Sequence, residues 1–385
     1  MRQGDVVLLR EKRDTHDGRL VTLKATKSTH THRGIVQHAD VIGKEPRQIV
    51  QSSKGATYRV IEPTLAEYVR LTPRLVTPIY PSDTNLIVSL LDIHVDTPSP
   101  GLETEPPFEI LEAGTGHGAL TLHLSRAIHA ANPPLPKTPS YTTTTEEESE
   151  DAVYLGESMS DLGDSALVSW KQNRRAIIHT LDIHNKYSQH AKHIVQGFRH
   201  GIYSGNVDFH VGDVSDWIAR QRASRKTDEP FLAHVFLDLP NANRHLANVA
   251  PVLHVNGLLA VFNPSITQIA ECVKTIREQR MPYLLDQVVE LGAGTIREWD
   301  VRAVRPRATL KKAEADQPSE PSADDGVDSE QDQAARDSEL EGTLSKQEEE
   351  YVMVCRPKAG ERVVGGGFLG LWRRMEKTST KESSD

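Results

Sequence analysis

From residue 108 onward, short apolar runs and amphipathic stretches take turns along the chain. Phe108–Glu112, Ala176–Asp182, Val207–Val211, His234–Asp238 and Leu258–Asn263 are rich in Ile, Val, Leu and Phe and have the length of buried strands. Between them, helical spacing of apolar residues runs over Ala119 to about Ala131, Asn185–His200, Val214–Gln221 and Ser265–Gln279, with a less regular segment from Asn243 to Leu253. This alternation predicts an α/β fold, a mostly parallel sheet with helices on both faces. Leu284–Glu290, Ile296–Val304 and Tyr351–Cys355 read as later strands with no helix between them. The last pair is therefore expected to form an antiparallel hairpin.

Residues 1–62 follow a different pattern. Runs at Asp5–Arg10, Leu20–Ala25, His32–His38, Arg47–Gln51 and Thr57–Ile61 lie close together, punctuated by Gly18, Gly34, Gly43 and Gly55. They predict a small β module, barrel-like or hairpin-rich. Residues 63–106 read as a helical linker. Pro63 suits a helix start, Leu65, Tyr68, Val69 and Leu71 carry an apolar face, and a second apolar helix over Asn85–Ile93 follows Ile79-Tyr80-Pro81.

An apolar content of 37% is low for 385 residues. Two biased stretches account for it: residues 133–169, rich in Pro, Thr and Glu, and residues 313–350, dominated by Asp, Glu, Gln, Ser and Ala. Neither can bury enough apolar surface to offset the entropy of ordering, so both are expected to be disordered inserts in a catalytic domain of 107–312 and 351–375. The formal charge of the whole chain is −9, but outside these stretches 42 bases face 32 acids. A cationic framework suits an anionic partner such as RNA; the plain alternative is an ordinary solvated lysine and arginine surface. The two cysteines, Cys272 and Cys355, form neither a disulfide framework nor a zinc pattern, which points to a reducing compartment. Apolar runs such as Gly257–Phe262 are too short to cross a bilayer, so no membrane partner is expected. No secretory core leads the chain, and Asp5, Glu11, Asp14 and Asp17 interrupt the basic start in a way that argues against a plain transit peptide. A phosphate-binding Gly-Lys-Ser/Thr loop and a G-x-S-x-G nucleophile turn are both missing.

The candidate chemistry lies where the predicted strands end. The first strand closes on Glu112 and runs into Gly114, Gly116 and Gly118 before a helix begins. Glycines there let backbone amides approach a ligand closely, and the spacing is GxGxG rather than the GxGxxG of dinucleotide binders, which favours S-adenosylmethionine over NAD. The second strand ends in Asp182, where an acid can hold both hydroxyls of a ribose. The third ends in Gly212-Asp213, where a carboxylate can accept from the exocyclic amine of adenine, and the fourth ends in Asp238-Leu-Pro240. Each acid alone is equally at home as a helix N-cap or turn residue. In strand order they describe one adenosine-containing ligand with its methionine end on the glycine loop.

At this point the sequence resembles the tRNA adenine-N1 methyltransferases that act at position 58 of the T loop. The matching residues are Glu112-Ala-Gly-Thr-Gly-His-Gly-Ala-Leu-Thr, Leu237-Asp-Leu-Pro240, Val41-Ile-Gly-Lys44, Ser52-Ser-Lys-Gly55, Ile79-Tyr-Pro81 and Arg297-Glu-Trp-Asp-Val-Arg302. The resemblance covers most of the chain outside the two biased stretches. It implies an N-terminal β module, a Rossmann-like class I methyltransferase domain and a tetramer, either of one chain or of a catalytic with a non-catalytic paralogous subunit. It also implies a nuclear or mitochondrial location. Glu112, Gly114, Thr115, Gly116, His117, Gly118, Ala119 and Leu120, with Asp182, Asp213 and Asp238, then become the expected S-adenosylmethionine site. Asp238 and Tyr80 become the catalytic pair, one accepting from the exocyclic amine of the target adenine and the other stacking on a base. Lys54, Arg297 and Arg302 are the expected tRNA phosphate contacts. His117 stands where the family usually has a small residue, and Asn241-Ala-Asn-Arg replaces the usual acid or proline with an aromatic after Asp238-Leu-Pro240. The complete glycine loop favours the catalytic subunit. A non-catalytic RNA-binding subunit would not bind S-adenosylmethionine, and a methyltransferase for another RNA, a protein or a small molecule would not depend on tRNA.

Overall fold

The structure is a computed structural model that describes residues 1–11, 18–98, 105–136, 164–292, 299–304, 352–357 and 366–376. It divides into two compact units, Met1–Gly294 with Val363–Asp385, and Thr295–Arg362.

The first unit opens with β1 (Val6–Glu11), β2 (Gly18–Thr22), β3 (Ser28–Thr31), β4 (Gly34–Gln37), α1 (His38–Val41), β5 (Ile49–Gln51) and β6 (Thr57–Ile61). Four of the strands form an antiparallel sheet in the order β2-β1-β6-β5, and β3 and β4 make a separate hairpin. Alternate residues Val7, Leu9, Val21, Val50, Tyr58 and Val60 turn inward with Leu23, Val36 and Val41 to form a core of their own. The run expected as one strand over His32–His38 is instead the turn and second arm of the hairpin. His38 leaves the sheet because its ring is buried, with Nε2 2.8 Å from Thr29 Oγ1 and Nδ1 accepting from the Lys24 amide at 3.1 Å.

The linker holds α2 (Leu65–Leu71) and α3 (Pro81–Leu90). Thr64 caps α2 in a reciprocal box with Glu67, so Pro63 precedes the cap rather than starting the helix. Glu67 also accepts from Arg10 of β1 at 2.7 Å, which ties the β module to the linker. The second helix begins four residues earlier than expected, at Pro81, whose ring fits the first helical position.

Beyond the linker come β7 (Phe108–Ala113), α4 (Ala119–Ile128), α5 (Asp164–Gln172), β8 (Ala176–Asp182), α6 (Asn185–Gly197), β9 (Val207–Val211), α7 (Val214–Arg225), β10 (Leu232–Leu237), α8 (Leu246–Val249), β11 (Leu253–Asn263), α9 (Ile266–Glu278), β12 (Tyr283–Leu291), β13 (Trp299–Val304), β14 (Val352–Pro357) and β15 (Gly367–Arg374). Seven strands form one sheet in the order β12-β15-β11-β10-β7-β8-β9. The five strands from β11 to β9 are parallel, and β15 runs antiparallel between β11 and β12. This is the predicted Rossmann-like sheet, with two differences. The run Gly367–Arg374 is not among the predicted strands, because Gly367 and Gly370 interrupt its apolar pattern. It nevertheless lies between two other strands, with Leu369, Leu371 and Trp372 buried. The expected hairpin does form, Trp299↔Pro357 to Val304↔Val352, but in the second unit and not in the main sheet. Residues 164–169, expected within an insert, belong to α5, whose Trp170 is buried and donates to the carbonyls of Pro133 and Pro134. Residues 137–163 and 305–351 lie outside the described residues.

Each face of the sheet buries its own core. On one, Ile110, Ile178, Phe236 and Leu369 pack under Leu122 and Leu124 of α4 and Tyr68 of α2. On the other, Leu111, Leu181, Val235 and Val261 pack under Trp217 of α7 and Cys272 of α9. Among the described residues no helix is long and apolar enough to cross a membrane.

Candidate active site

Strand order reverses between β7 and β10, and in open sheets of this kind the ligand crevice lies there, outside the carboxyl ends of the strands. Gly114 leaves β7 with φ +97, and its amide donates to Leu181 O at 2.8 Å. A Cβ on Gly114 would overlap the Asp238 carbonyl oxygen and lie 3.1 Å from the Asp238 Cβ, so only glycine lets the loop close against the end of β10. Thr115 bonds across to β8, hydroxyl to hydroxyl with Thr180 at 2.7 Å. The Gly116 amide donates to the Asp182 carboxylate at 3.1 Å, and the other Asp182 oxygen accepts from the His184 amide at 2.9 Å. Asp182 O in turn accepts from the Gly212 amide at 2.9 Å. Gly116, Asp182, Asp213 and Asp238 therefore lie on one continuous rim, as the strand-end pattern requires.

Within that rim the residues divide by what their side chains already do. Asp238 follows β10, is half-buried, and accepts no hydrogen bond from any described side chain; burial pushes its carboxyl up to about 7. Asp213 is the N-cap of α7, accepting from the Ser215 amide at 2.7 Å and the Asp216 amide at 3.4 Å, with its second oxygen 3.9 Å from His245 Nε2. This acid is thus both a helix cap and a member of the rim.

Three expected cofactor residues sit differently from the sequence expectation. Glu112 is sealed beneath the loop, accepting from the Thr121 hydroxyl at 2.7 Å, the Thr180 hydroxyl at 2.9 Å and the Thr121 amide. Burial is the main cause that raises its carboxyl to about 7, with the Asp238 charge adding to it. It takes up only the Thr121 amide of α4 and braces the loop rather than reaching the crevice. His117 turns away from the crevice altogether: its Nε2 lies 3.0 Å from Thr72 Oγ1 and its Nδ1 3.3 Å from His190 Nε2. Leu120 points into the core, so Ala119 and Leu120 offer the site only the amides of the first turn of α4, where Gly118 (φ +81) leaves the helix without a side-chain cap.

Tyr80 is the N-cap of α3, with the Arg74 guanidinium 5.7 Å from its ring centre. The linker segment that leads to it crosses the glycine loop, since a Cβ on Gly116 would lie 3.4 Å from Val76 Cγ2. Lys54 is exposed on the β module. Arg297 lies outside the described residues, and Arg302 is in β13 of the second unit.

Phe262, a partly buried aromatic packed on the sheet core, is a candidate site residue that the sequence pattern does not single out. The register Leu237↔Val261 carries Phe262 opposite Asp238 at the tip of β11, and β15 opens on Gly367, where a Cβ would lie 2.6 Å from the ring. The available signal is an aromatic at the end of a strand adjacent to the one bearing Asp238. Of the bracing threonines, Thr121 closes the glycine-loop motif while Thr180 carries no signal, and only tertiary contact shows that both serve Glu112.

The glycine loop and the rim fit an adenosine-containing cofactor. Gly114 lets the loop lie against the end of β10, Gly118 gives the first turn of α4 no side-chain cap of its own, and three carboxylates, Asp182, Asp213 and Asp238, stand at the rim. Among the described residues no group of His, Cys, Asp and Glu is placed to hold a metal ion.

Comparison with known proteins bears on the family and the fold. Over 276 residues the chain is 28% identical to a Thermus thermophilus protein named tRNA (adenine(58)-N(1))-methyltransferase TrmI, covering 71% of this chain and 79% of that one. Over 115 residues it is 32% identical to the Methanocaldococcus jannaschii protein named tRNA (adenine(57)-N(1)/adenine(58)-N(1))-methyltransferase TrmI, covering 30% of this chain and 36% of that one. Among solved structures, an S-adenosylmethionine-dependent O-methyltransferase from Thermotoga maritima superposes with a TM-score of 0.58 at 16% identity, covering 98% of this chain and 95% of that one. The tRNA (m1A58) methyltransferase TrmI of Aquifex aeolicus gives 0.54, also at 16% identity, covering 98% and 99%. Both share the class I methyltransferase fold. A TrmI-like N-terminal family model matches residues 1–50. The model of the family described as "tRNA methyltransferase complex GCD14 subunit" matches residues 166–370, more than half of the chain, and the chain belongs to that family.

Proposed function

We propose that this chain is the catalytic subunit of an S-adenosylmethionine-dependent methyltransferase that methylates N1 of adenine 58 in the T loop of tRNA. Its family and its TrmI relatives support the reaction. The observation in the structure that carries it is the Asp238 carboxylate beside the glycine loop, which has no hydrogen-bond donor among the described residues.

The cofactor, when bound, supplies an electrophilic methyl group on a sulfonium. The chain's own residues hold and orient. Amides of His117 and the first turn of α4 face the amino-acid end, and Asp182 has lone pairs left for ribose hydroxyls beyond its bonds to the Gly116 and His184 amides. Asp238 accepts from the exocyclic amine of the target adenine. As N1 gains the methyl, positive charge spreads onto that amine, and a carboxylate already in place stabilises it without reorganising. The N1 atom lies on the pairing edge of the base, so adenine must leave its partner to reach Asp238. Tyr80 at the start of α3 and Phe262 at the tip of β11 supply aromatic walls for the extruded base. Lys54, Arg297 and Arg302 make the phosphate contacts. The chain works in a tetramer, of four copies or with a paralogous non-catalytic partner, and the latter suits a family described as a subunit of a complex. The free, buried Cys272 fits a reducing compartment, nucleus or mitochondrion.

The test is incubation with unmodified tRNA and labelled cofactor, with and without a candidate partner chain, followed by mapping of the methylated nucleotide. Label at N1 of adenine 58 is expected. Label elsewhere, or none under either condition, refutes the reading.

A further inference from the structure

His117 is buried in the middle of the glycine loop, yet its ring leaves the loop on the side away from the crevice. The ring lies between α2 and α6, and its neighbours there are specific. Thr72, the residue that ends α2, has its hydroxyl 3.2 Å from Val69 O and 3.0 Å from His117 Nε2. His190 of α6 places Nε2 3.3 Å from His117 Nδ1, and its ring also bonds the Pro73 backbone. The Thr72 hydroxyl donates to the Val69 carbonyl, His117 bonds the Val69 backbone as well as Thr72, and His190 donates to the Pro73 carbonyl, so the two rings hold the end of α2 and the start of the segment that follows it. The charged or titratable groups around the ring are His190, with His193 behind it, and Arg74 of the linker. Burial first, then these neighbours, lower the His117 pKa to about 4, so the ring is neutral near pH 7.

Thr72 and Pro73 begin the segment that carries Val76 onto Gly116, Arg74 onto the face of Tyr80, and Tyr80 to the start of α3. The two ends of this strap are therefore tied to different things. One is bonded through His117 to the cofactor loop, and the other is the cap of the helix beside the proposed base pocket.

We propose that His117 and His190 latch the 72–80 strap over the glycine loop, so that His117 is a positioning residue that retains the cofactor by fixing its cover rather than by touching it. This rests on the functional reading above. The latch acts on retention of S-adenosylmethionine and leaves the reacting atoms alone, so losing it raises KM for the cofactor and spares kcat.

The experiment uses the full chain, with its partner if activity requires one, and measures cofactor KM, kcat and equilibrium affinity for S-adenosylmethionine. The variants are His117→Ala, Thr72→Val, the double variant and Thr72→Ser. One buried hydrogen bond is worth about a tenfold change in affinity, so each single variant is expected to raise KM and Kd about tenfold with kcat within about twofold. The double variant should be no worse than either single one, because both break the same link, and Thr72→Ser should behave as the unaltered chain because it keeps the hydroxyl. Unchanged KM in His117→Ala, additive losses in the double variant, or a Thr72→Ser chain as defective as Thr72→Val each overturn the latch. Loss of kcat in step with loss of folded protein does so too, since it marks a packing role. Failure of the unaltered chain to bind the cofactor at all overturns the functional reading itself and the latch with it.

Discussion

Replacing Asp238 by asparagine is expected to make the chain more stable and less active, with one cause for both effects. In the folded chain burial raises this carboxyl from 3.8 to about 7, and no described side chain donates to it. A tenfold change in an acid's ionisation constant corresponds to about 1.4 kcal/mol, so at pH 8 holding the ion in place costs about 2–4 kcal/mol, the lower figure allowing for its remaining contact with solvent. Because the folded value lies above the unfolded one, the folded state binds more protons between these two values, and stability is lost as pH rises through the window. The variant carries no charge. Its advantage should be absent near pH 4, grow as pH rises, and level off above about 7. The same ion is what the reaction uses. A charge about 4 Å from developing positive charge, at an effective dielectric of about 20, is worth about 4 kcal/mol, which corresponds to a loss of roughly 10²–10³ in kcat/KM. In the unaltered enzyme kcat/KM should climb with pH to a plateau above about 7, and this limb should vanish from the residual activity of the variant. Denaturant unfolding at pH 4, 6 and 8, with initial rates on unmodified tRNA, measures both sides. A variant less stable than the parent at pH 8, or a stability difference independent of pH, would mean that the carboxylate is already satisfied, and the proposed role would fail.

Three other perturbations test the surroundings. Gly114→Ala places a methyl group on the Asp238 carbonyl at a φ of +97, so cofactor binding should be lost in titration even where circular dichroism shows a folded chain. Arg225→Met strips two hydrogen bonds, at 2.9 and 2.6 Å, from the buried Glu109 carboxylate and leaves it with His179 alone; a loss of about 3–5 kcal/mol by denaturant unfolding is expected, with little change in cofactor KM. Burial lowers His117, His123, His210 and His234 to about 4 from 6.5, so each contributes stability that is complete above pH 6.5 and disappears as pH falls towards 4. Thermal midpoints should therefore drop steeply over that interval, at up to about 3 kcal/mol per histidine, and a flat profile would contradict their burial as neutral rings.

The parallel core of the fold is legible in the sequence because each strand buried on both faces is a continuous apolar run, and the glycine triplet marks where the first one stops. The acids Asp182 and Asp238 are legible because each comes where its strand ends, directly after an apolar residue, Leu181 and Leu237. Periodicity says nothing about which strand lies beside which, and that is where tertiary structure decided. It inserted Gly367–Arg374 between β11 and β12 despite its glycines, because packing on both sides outweighs weak strand propensity. It set Phe262 next to Asp238 through a register between two strands that a helix separates along the chain. It separated the acids of the motif by task, since Glu112 meets three donors in the core and Asp238 meets none among the described residues, although both are simply carboxylates at the ends of strands. His117, which the motif alone places against the cofactor, is turned the other way because Thr72 and His190 offer its two nitrogens partners that the crevice does not.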